Sequence, residues 1–387
     1  MMVMKIVIAS DSFKGTLSSL DICRLWQEEL VKYPHITAEY LPIADGGEGS
    51  LDAIAYSIKG HYIPITVKDP YFKDIDTRYY VDDNNNAYIE TASCAGLTLI
   101  KELNPMKTTT YGLGEQVLDA IKNGCKKIYI FLGGSATNDG GCGLFAAIGA
   151  KFFNKEGKEF IPTGGTLEDI VRIDNSITLN ALGGAQIIGM CDVNNSLYGL
   201  NGAAYVFAPQ KGADEKIVVE LDKGLRHLAT IAKRDLDKDV ADVTGAGAAG
   251  GLGFGILAFG DGLLRSGIET IINLCNFDTK IIDADYVISG EGKLDKQSFL
   301  GKAIGGITAR CQEHSKRLVL IVGASELTLQ NALKIYPLID RIIVTNSEGL
   351  PFKEIAKNAP KMYCRAISLF FASQSHQSVF TFDRWLL

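Results

Sequence analysis

The chain has 387 residues, of which 47% are hydrophobic and 22% charged, and its net charge is −6. That length exceeds one ordinary core and predicts two domains. The acidic balance excludes the clustered Lys and Arg that nucleic-acid or anionic-membrane phosphates require, which leaves a small-molecule partner.

The apolar start, Met1 to Ala9, runs into Asp11 and Lys14 without a cleavable small-residue site, so it is read as a first strand and not as a signal peptide. Ser18 followed by Asp21 is a capping signal for a helix whose Ile22, Leu25, Trp26, Leu30 and Tyr33 share one face until Pro34 stops it. A second strand, Tyr40 to Ile43, leads to Asp45, and a helix follows near Leu51 to Ile58. Alternating segments at His61 to Val67 and Thr77 to Ile89, with Asp82 to Asn86 as the turn, predict an antiparallel hairpin foreign to a parallel sheet. Short apolar runs at Ile128 to Leu132, Ile187 to Met190 and Tyr286 to Ile288 read as buried strands. Further strands at Leu318 to Val322 and Arg341 to Thr345 alternate with helices beginning near Lys302 and Thr328. The uncharged stretch Val243 to Gly260 carries seven glycines between Asp242 and Asp261, which predicts a buried Gly/Ala helix and not a membrane span.

The expected architecture is α/β, with a doubly wound Rossmann/flavodoxin-like domain built from both chain ends, 1–60 and 280–387, and a mixed α/β domain, 61–279, inserted in it. A cleft between two such domains is the default ligand site. Eight cysteines without a C-x-x-C pair point to buried thiols in a reducing cytoplasm. The tail, Ser373 to Leu387, has no clear period yet carries Phe380, Phe382 and Trp385, so it is either a frayed end or a docking segment.

Four Gly-rich segments set acidic and amide side chains beside bare backbone N–H groups: Ala44-Asp-Gly-Gly-Glu-Gly49, Gly133-Gly-Ser-Ala-Thr-Asn-Asp-Gly-Gly141, Cys191-Asp-Val-Asn-Asn195 and Ser289-Gly-Glu-Gly-Lys-Leu-Asp295. Each follows a predicted strand, and in open α/β sheets such loops form the ligand crevice. This is the chemistry of handling phosphate. In the segment from Gly133, Gly134, Ser135, Thr137 and Asn138 precede a helix expected near Asp139, offering amides, hydroxyls and a helix N-terminus to an anion. A capped strand-to-helix turn would explain the glycines but not the density of polar side chains. The chain contains no G-x-x-x-x-G-K-[ST] loop. Gly245-Ala-Gly-Ala-Ala-Gly250 satisfies G-x-G-x-x-G, but Lys238 to Asp242 before it is too polar for the strand a dinucleotide turn needs, so these small residues are read as sites of close packing or of close backbone approach to a ligand.

Together with Ser10-Asp-Ser-Phe-Lys-Gly-Thr16, Gly202-Ala-Ala, Pro209-Gln-Lys-Gly-Ala213 and Gly245 to Gly251, these segments occur in the order and spacing of the bacterial type-1 glycerate kinase family, which the chain closely resembles from about Met4 to Phe371. The resemblance implies ATP-dependent phosphorylation of D-glycerate with Mg²⁺, two dissimilar α/β domains around a cleft, and 2-phosphoglycerate as the product. It departs from the pattern at Ser196 and Leu200, where proline is common, and at Ala208, where glycine is common. Those changes loosen a loop and remove no reactive group.

Phosphoryl transfer needs an acceptor hydroxyl in line, a base for its proton, and cations on the γ-phosphate. Asp192 leads Asp45 as candidate base; either carboxylate could instead cap its own turn. Glu291 and Asp295 suit Mg²⁺, unless Lys293 ties them up in an ion pair; Lys293 is otherwise placed with Ser10, Asp11 and Ser12 on the substrate. Lys14 and Lys211 are candidates for the substrate carboxylate or the transferring phosphate, with a solvated surface charge as the alternative. Gly133, Gly134, Ser135, Thr137 and Asn138 are expected on phosphate oxygens. The five histidines fall outside every motif and receive no role. Two rival functions remain: an NAD-dependent hydroxy-acid oxidoreductase, and a non-catalytic α/β protein that binds a phosphorylated metabolite. The expected protein is cytoplasmic, a monomer or homo-oligomer, with no membrane or nucleic-acid partner.

Overall fold

A computed structural model describes residues 4–44, 46, 47, 49–299 and 302–380, with side chains through Ala372. Asp45, Phe382, Trp385 and the side chain of Phe380 lie outside the described residues. The chain divides into two units, one of Met1–Asp45, Asp52–Ser57 and Ile268–Leu387, the other of Gly46–Leu51 and Ile58–Gly267.

The first unit holds a five-stranded, all-parallel sheet in the spatial order Ile36–Tyr40, Met4–Ile8, Tyr286–Ser289, Arg317–Val322, Ile339–Val344. Counted along the chain this is 2-1-3-4-5, the flavodoxin-like doubly wound order, whose ligands bind beyond the carboxyl ends of the strands where the order reverses. The reversal lies between Met4–Ile8 and Tyr286–Ser289, which pair Ile6 with Tyr286 and Ile8 with Ile288. Ile6, Val7, Ile8, Val287 and Ile288 are fully buried; strands covered on both faces read in sequence as unbroken apolar runs. Beside them the helix Ser19–Leu30 begins at the predicted capping box. The Ser18 hydroxyl accepts from the Asp21 amide at 3.0 Å and the Asp21 carboxylate accepts from the Ser18 amide at 3.1 Å, an arrangement that stabilises a helix start by about 1 kcal/mol. The helix buries Ile22, Trp26 and Leu30, and Trp26 meets Phe370 and Phe371 of the C-terminal helix Phe352–Phe380 edge-on, with ring centroids 5.9 and 6.1 Å away.

The second unit holds a six-stranded sheet ordered Leu263–Arg265, Gln186–Met190, Lys127–Phe131, Asn86–Glu90, Asp74–Asp82, Gly60–Lys68. The first three pairings along this order are parallel and the last two antiparallel, so only Asp74–Asp82 runs against the other five strands. The expected hairpin therefore exists but is not foreign to a parallel sheet. Asp74–Asp82 pairs along its whole length with Gly60–Lys68, and a turn through Asn85 (φ 57°) returns the chain into Asn86–Glu90, which pairs parallel with Lys127–Phe131 on its other side. One strand thus serves both patterns, and the hairpin becomes the edge of a mixed sheet. Strands follow one another across this sheet without reversal, so it has no switch point.

No strand leads into Gly245. Residues 241–247 are turns, and the helix Ala248–Phe259 begins with Ala249, Gly250 and Gly251 at φ of 53°, 69° and 88°. A Cβ on Gly250 would lie 2.0 Å from the Thr137 carbonyl oxygen, and the Gly140 amide donates to the Gly250 carbonyl at 3.1 Å. Close backbone approach to the loop after Asn138 is therefore what this glycine serves. Among the described residues no helix is long and apolar enough to cross a membrane.

Candidate functional site

In the second unit the loops at the carboxyl ends of the parallel strands come together. The chain leaves Lys127–Phe131, the Leu132 amide donates to the Met190 carbonyl at 3.2 Å, and the Gly133 amide donates to the Gly46 carbonyl at 2.9 Å. Two of the four Gly-rich segments meet at this point, and Met190 leads directly into a third. A Cβ on Gly133 would stand 2.5 Å from Gly47 Cα, so only glycine permits the approach. Gly134, at φ 74°, turns the chain, and its carbonyl accepts from the Leu97 amide at 3.0 Å. The Ala136 amide then donates to the Ala95 carbonyl at 2.8 Å, and the Thr108 hydroxyl to the Ala136 carbonyl at 2.9 Å.

Lys211 fixes the other side of this loop. It is buried in the short turn Pro209–Lys211, and its ammonium donates to Ser135 Oγ at 2.9 Å and to the Thr137 carbonyl at 2.7 Å. Burial pushes its pKa from 10.5 down to about 7, with the Asp139 charge pulling the other way. Asp139 is itself fully buried and accepts from the Thr110 amide and hydroxyl, both at 2.8 Å, and from the Gly141 and Gly143 amides at 3.2 Å. Burial raises its carboxyl pKa and these hydrogen bonds oppose the rise. The helix expected near Asp139 starts at Cys142, after Gly140 and Gly141 at positive φ. Its first N–H groups are already taken by Asp139 and by the Thr110 hydroxyl, which accepts from the Leu144 amide at 2.9 Å. The helix N-terminus is thus capped from within the protein and is not open to a ligand anion. The side-chain amide of Asn138 and the hydroxyl of Thr137 differ: both are buried, and neither has a hydrogen-bond partner among the described residues. Native proteins rarely leave such atoms unsatisfied, so they mark a place for water or ligand.

Asp192 follows Gln186–Met190 and is partly buried. Its Oδ1 accepts from the Ser266 hydroxyl at 2.6 Å and from the Gly267 amide at 3.0 Å, at the carboxyl end of the neighbouring strand Leu263–Arg265. Two donors from another loop hold the carboxylate in one orientation.

The first unit gathers the remaining candidates at its switch point. The Ser10 hydroxyl and the Asp11 amide donate to the Gly290 carbonyl at 3.1 and 3.0 Å, joining the segment after Met4–Ile8 to the one after Tyr286–Ser289. Asp11 is buried and its Oδ1 accepts from the Ser12 amide at 2.6 Å; Lys14 is exposed and Glu291 partly buried. Lys293 pairs with Glu326 at 2.6 Å on the surface and not with Glu291 or Asp295. Asp295 caps its own turn, its Oδ1 accepting from the Gln297 and Ser298 amides at 2.7 and 3.1 Å. Among the described residues no three His, Cys, Asp or Glu side chains cluster as a metal site.

Sequence reasoning gave no role to Thr108, Thr110, Asp139 or Ser266, which hold the candidate groups. Three successive threonines, Thr108 to Thr110, just before the helix Tyr111–Lys122 were a signal, since hydroxyl side chains favour caps. Nothing local marks Ser266, which lies 74 residues from Asp192.

Comparison with known proteins gives a consistent result. The Glycerate kinase family model matches residues 6–371. A glycerate kinase of Bacillus cereus is 41% identical over 83% of this chain and 85% of its own length, and a glycerate 2-kinase of Escherichia coli K12 is 39% identical over the same shares. A crystal structure of a Salmonella typhimurium LT2 protein assigned as glycerate kinase 2 superposes with a TM-score of 0.82 at 34% identity, covering 97% of this chain and all of that one. With the ordered motifs, the matched length and the shared fold in agreement, the chain belongs to the glycerate kinase family and is an enzyme of that family.

Proposed function

We propose that this protein transfers the γ-phosphoryl group of MgATP to the 2-hydroxyl of D-glycerate in the cytoplasm. Family membership supplies the reaction class, and the relative named glycerate 2-kinase supports the 2-position. The observation that carries the reading is the loop Gly133–Asn138, tied on both sides and by Lys211, with the buried polar atoms of Thr137 and Asn138 left for a ligand. Preorganised donors around a developing charge are what phosphoryl transfer chiefly requires.

In the reaction the glycerate hydroxyl oxygen bonds to the γ-phosphorus as the bond to the β,γ-bridging oxygen breaks; ADP leaves, and the hydroxyl proton passes to a carboxylate. Asp192, oriented by Ser266 and Gly267, is the proposed base, and Asp45 the alternative. The phosphate oxygens are assigned to the loop of Gly133, Gly134, Ser135, Thr137 and Asn138, in which Thr137 and Asn138 carry the side-chain atoms without a partner among the described residues. Lys211 holds the loop and, when protonated, lends it positive charge. Ser10, Asp11, Ser12 and Lys293 receive the substrate, with Lys14 as a further cation. One or two carboxylates of the chain would hold Mg²⁺ together with the nucleotide phosphates, and the ion would supply charge neutralisation on the transferring group. Glu291 fits that role, and Asp295 has one oxygen committed to its own turn.

Purified protein should release ADP from MgATP only when D-glycerate is present. Coupling to enolase alone yields phosphoenolpyruvate from the 2-phosphate directly, whereas the 3-phosphate needs a mutase first. A signal that appears only with mutase overturns the 2-position, and folded protein that gives no ADP over a broad range of glycerate concentrations overturns the kinase.

A further inference from the structure

A cavity of about 110 Å³ opens in the unit built from the chain ends. One wall follows the carboxyl ends of four parallel strands, through Phe13, Gly292, Gly323 and Thr345. The other is the C-terminal helix, through Phe352, Ile355 and Met362. We infer that this cavity takes the purine base of the nucleotide; the inference rests on the reading of the chain as a nucleoside-triphosphate kinase.

Position is the first argument. The cavity adjoins the reversal of a 2-1-3-4-5 sheet, where ligands of this architecture bind. Its chemistry is the second. The lining is mostly apolar, and the side chain of Asn346 is taken up by its own turn, donating to the Leu350 carbonyl at 3.2 Å and accepting from the Leu350 amide at 2.8 Å. Glycerate, with a carboxylate and two hydroxyls on three carbons, would find few partners here. A flat heterocycle with apolar faces suits walls that include Phe13 and Phe352, and Lys14, exposed and lining the cavity, adds a positive charge beside it. The volume admits several waters, and so a ring system of that size.

Phe352 is the third argument. Its side chain is 61% exposed, so this wall of the cavity is reachable from solvent. The loop opposite is shaped to admit that ring: a Cβ on Gly15, itself at φ 78°, would come within 2.9 Å of the Phe352 ring. The chain has no P-loop, and Gly245–Gly250, which matches a dinucleotide pattern, is packed on the Thr137 loop.

Two variants of the full chain test the assignment. Phe352→Ala removes an exposed wall without disturbing a core, and Ala359→Phe fills the cavity from the helix. Calorimetric titration with ADP should show binding weakened about 3- to 10-fold by the first variant, the size of a lost aromatic stack, and more by the second. Inorganic tripolyphosphate, which carries no base, should bind both variants as it binds the parent, and the KM for ATP should rise while that for glycerate holds. ADP affinity within twofold of the parent in folded Phe352→Ala overturns the inference, whatever the kinase assay gives. Weakened ADP binding in a protein that never phosphorylates glycerate would keep the base site and overturn the kinase reading alone.

Discussion

Replacing Lys211 with methionine removes a buried ammonium whose pKa lies near 7 in the folded protein and 10.5 in the unfolded chain. Between those values the unfolded state holds the extra proton, so this lysine makes stability rise with pH from about 7 to 10.5; below 7 both states are protonated and the full cost of burying the charge is present. At about 1.36 kcal/mol per unit, that cost is on the order of 5 kcal/mol. From pH 7.5 to 9.5 most of one proton separates the two states, which gives roughly 2 to 3 kcal/mol of added stability in the parent and none in Lys211→Met. For a unit of this size the difference in Tm between parent and variant should therefore move by about 5–10 °C in favour of the parent over that interval. Scanning calorimetry of both proteins at pH 7.5, 8.5 and 9.5 reads it, and groups common to both cancel. A Tm difference that stays flat, or moves toward the variant, refutes the claim that the amine is buried and hydrogen-bonded to Ser135 and Thr137.

Asp192→Asn keeps an oxygen for the Ser266 and Gly267 donors, so the fold should hold while kcat falls roughly 10²- to 10⁴-fold with the KM for ATP nearly unchanged; a raised ATP KM with turnover kept would make Asp192 a nucleotide or metal contact, and loss of activity only in Asp45→Asn would exchange the two roles. Gly133→Ala drives a Cβ to 2.5 Å from Gly47 Cα and 2.8 Å from the Gly46 carbonyl oxygen, both backbone atoms. It should cost about 3 kcal/mol or more, and a Tm within 2 °C of the parent would contradict the close approach. Lys293→Ala breaks only an exposed ion pair with Glu326, so the Tm should hardly change while the KM for glycerate rises several-fold; an unchanged KM removes Lys293 from the substrate site.

The elements the sequence determined are those with local causes. Strands buried on both faces could only be apolar runs, which made the first strand, within Met1 to Ala9, and Tyr286 to Ile288 legible, and Ser18 with Asp21 declared a helix start because the capping bonds span three residues. The Gly-rich loops were legible because a backbone that must turn at positive φ, or pass within touching distance of another, admits little besides glycine. The tertiary structure decided what depends on partners distant in the chain. Alternation announced antiparallel segments at His61 to Val67 and Thr77 to Ile89, but only the pairing of Asn86–Glu90 with Lys127–Phe131 joined them to a parallel sheet. Lysine and aspartate are ordinarily exposed, so the burial of Lys211 and Asp139 could not be read from their neighbours: it follows from acceptors 74 and 76 residues away in one case and from a threonine 29 residues away in the other. The same bonds closed the helix N-terminus that the sequence had offered to an anion, because the loop's own carboxylate reaches those amides first.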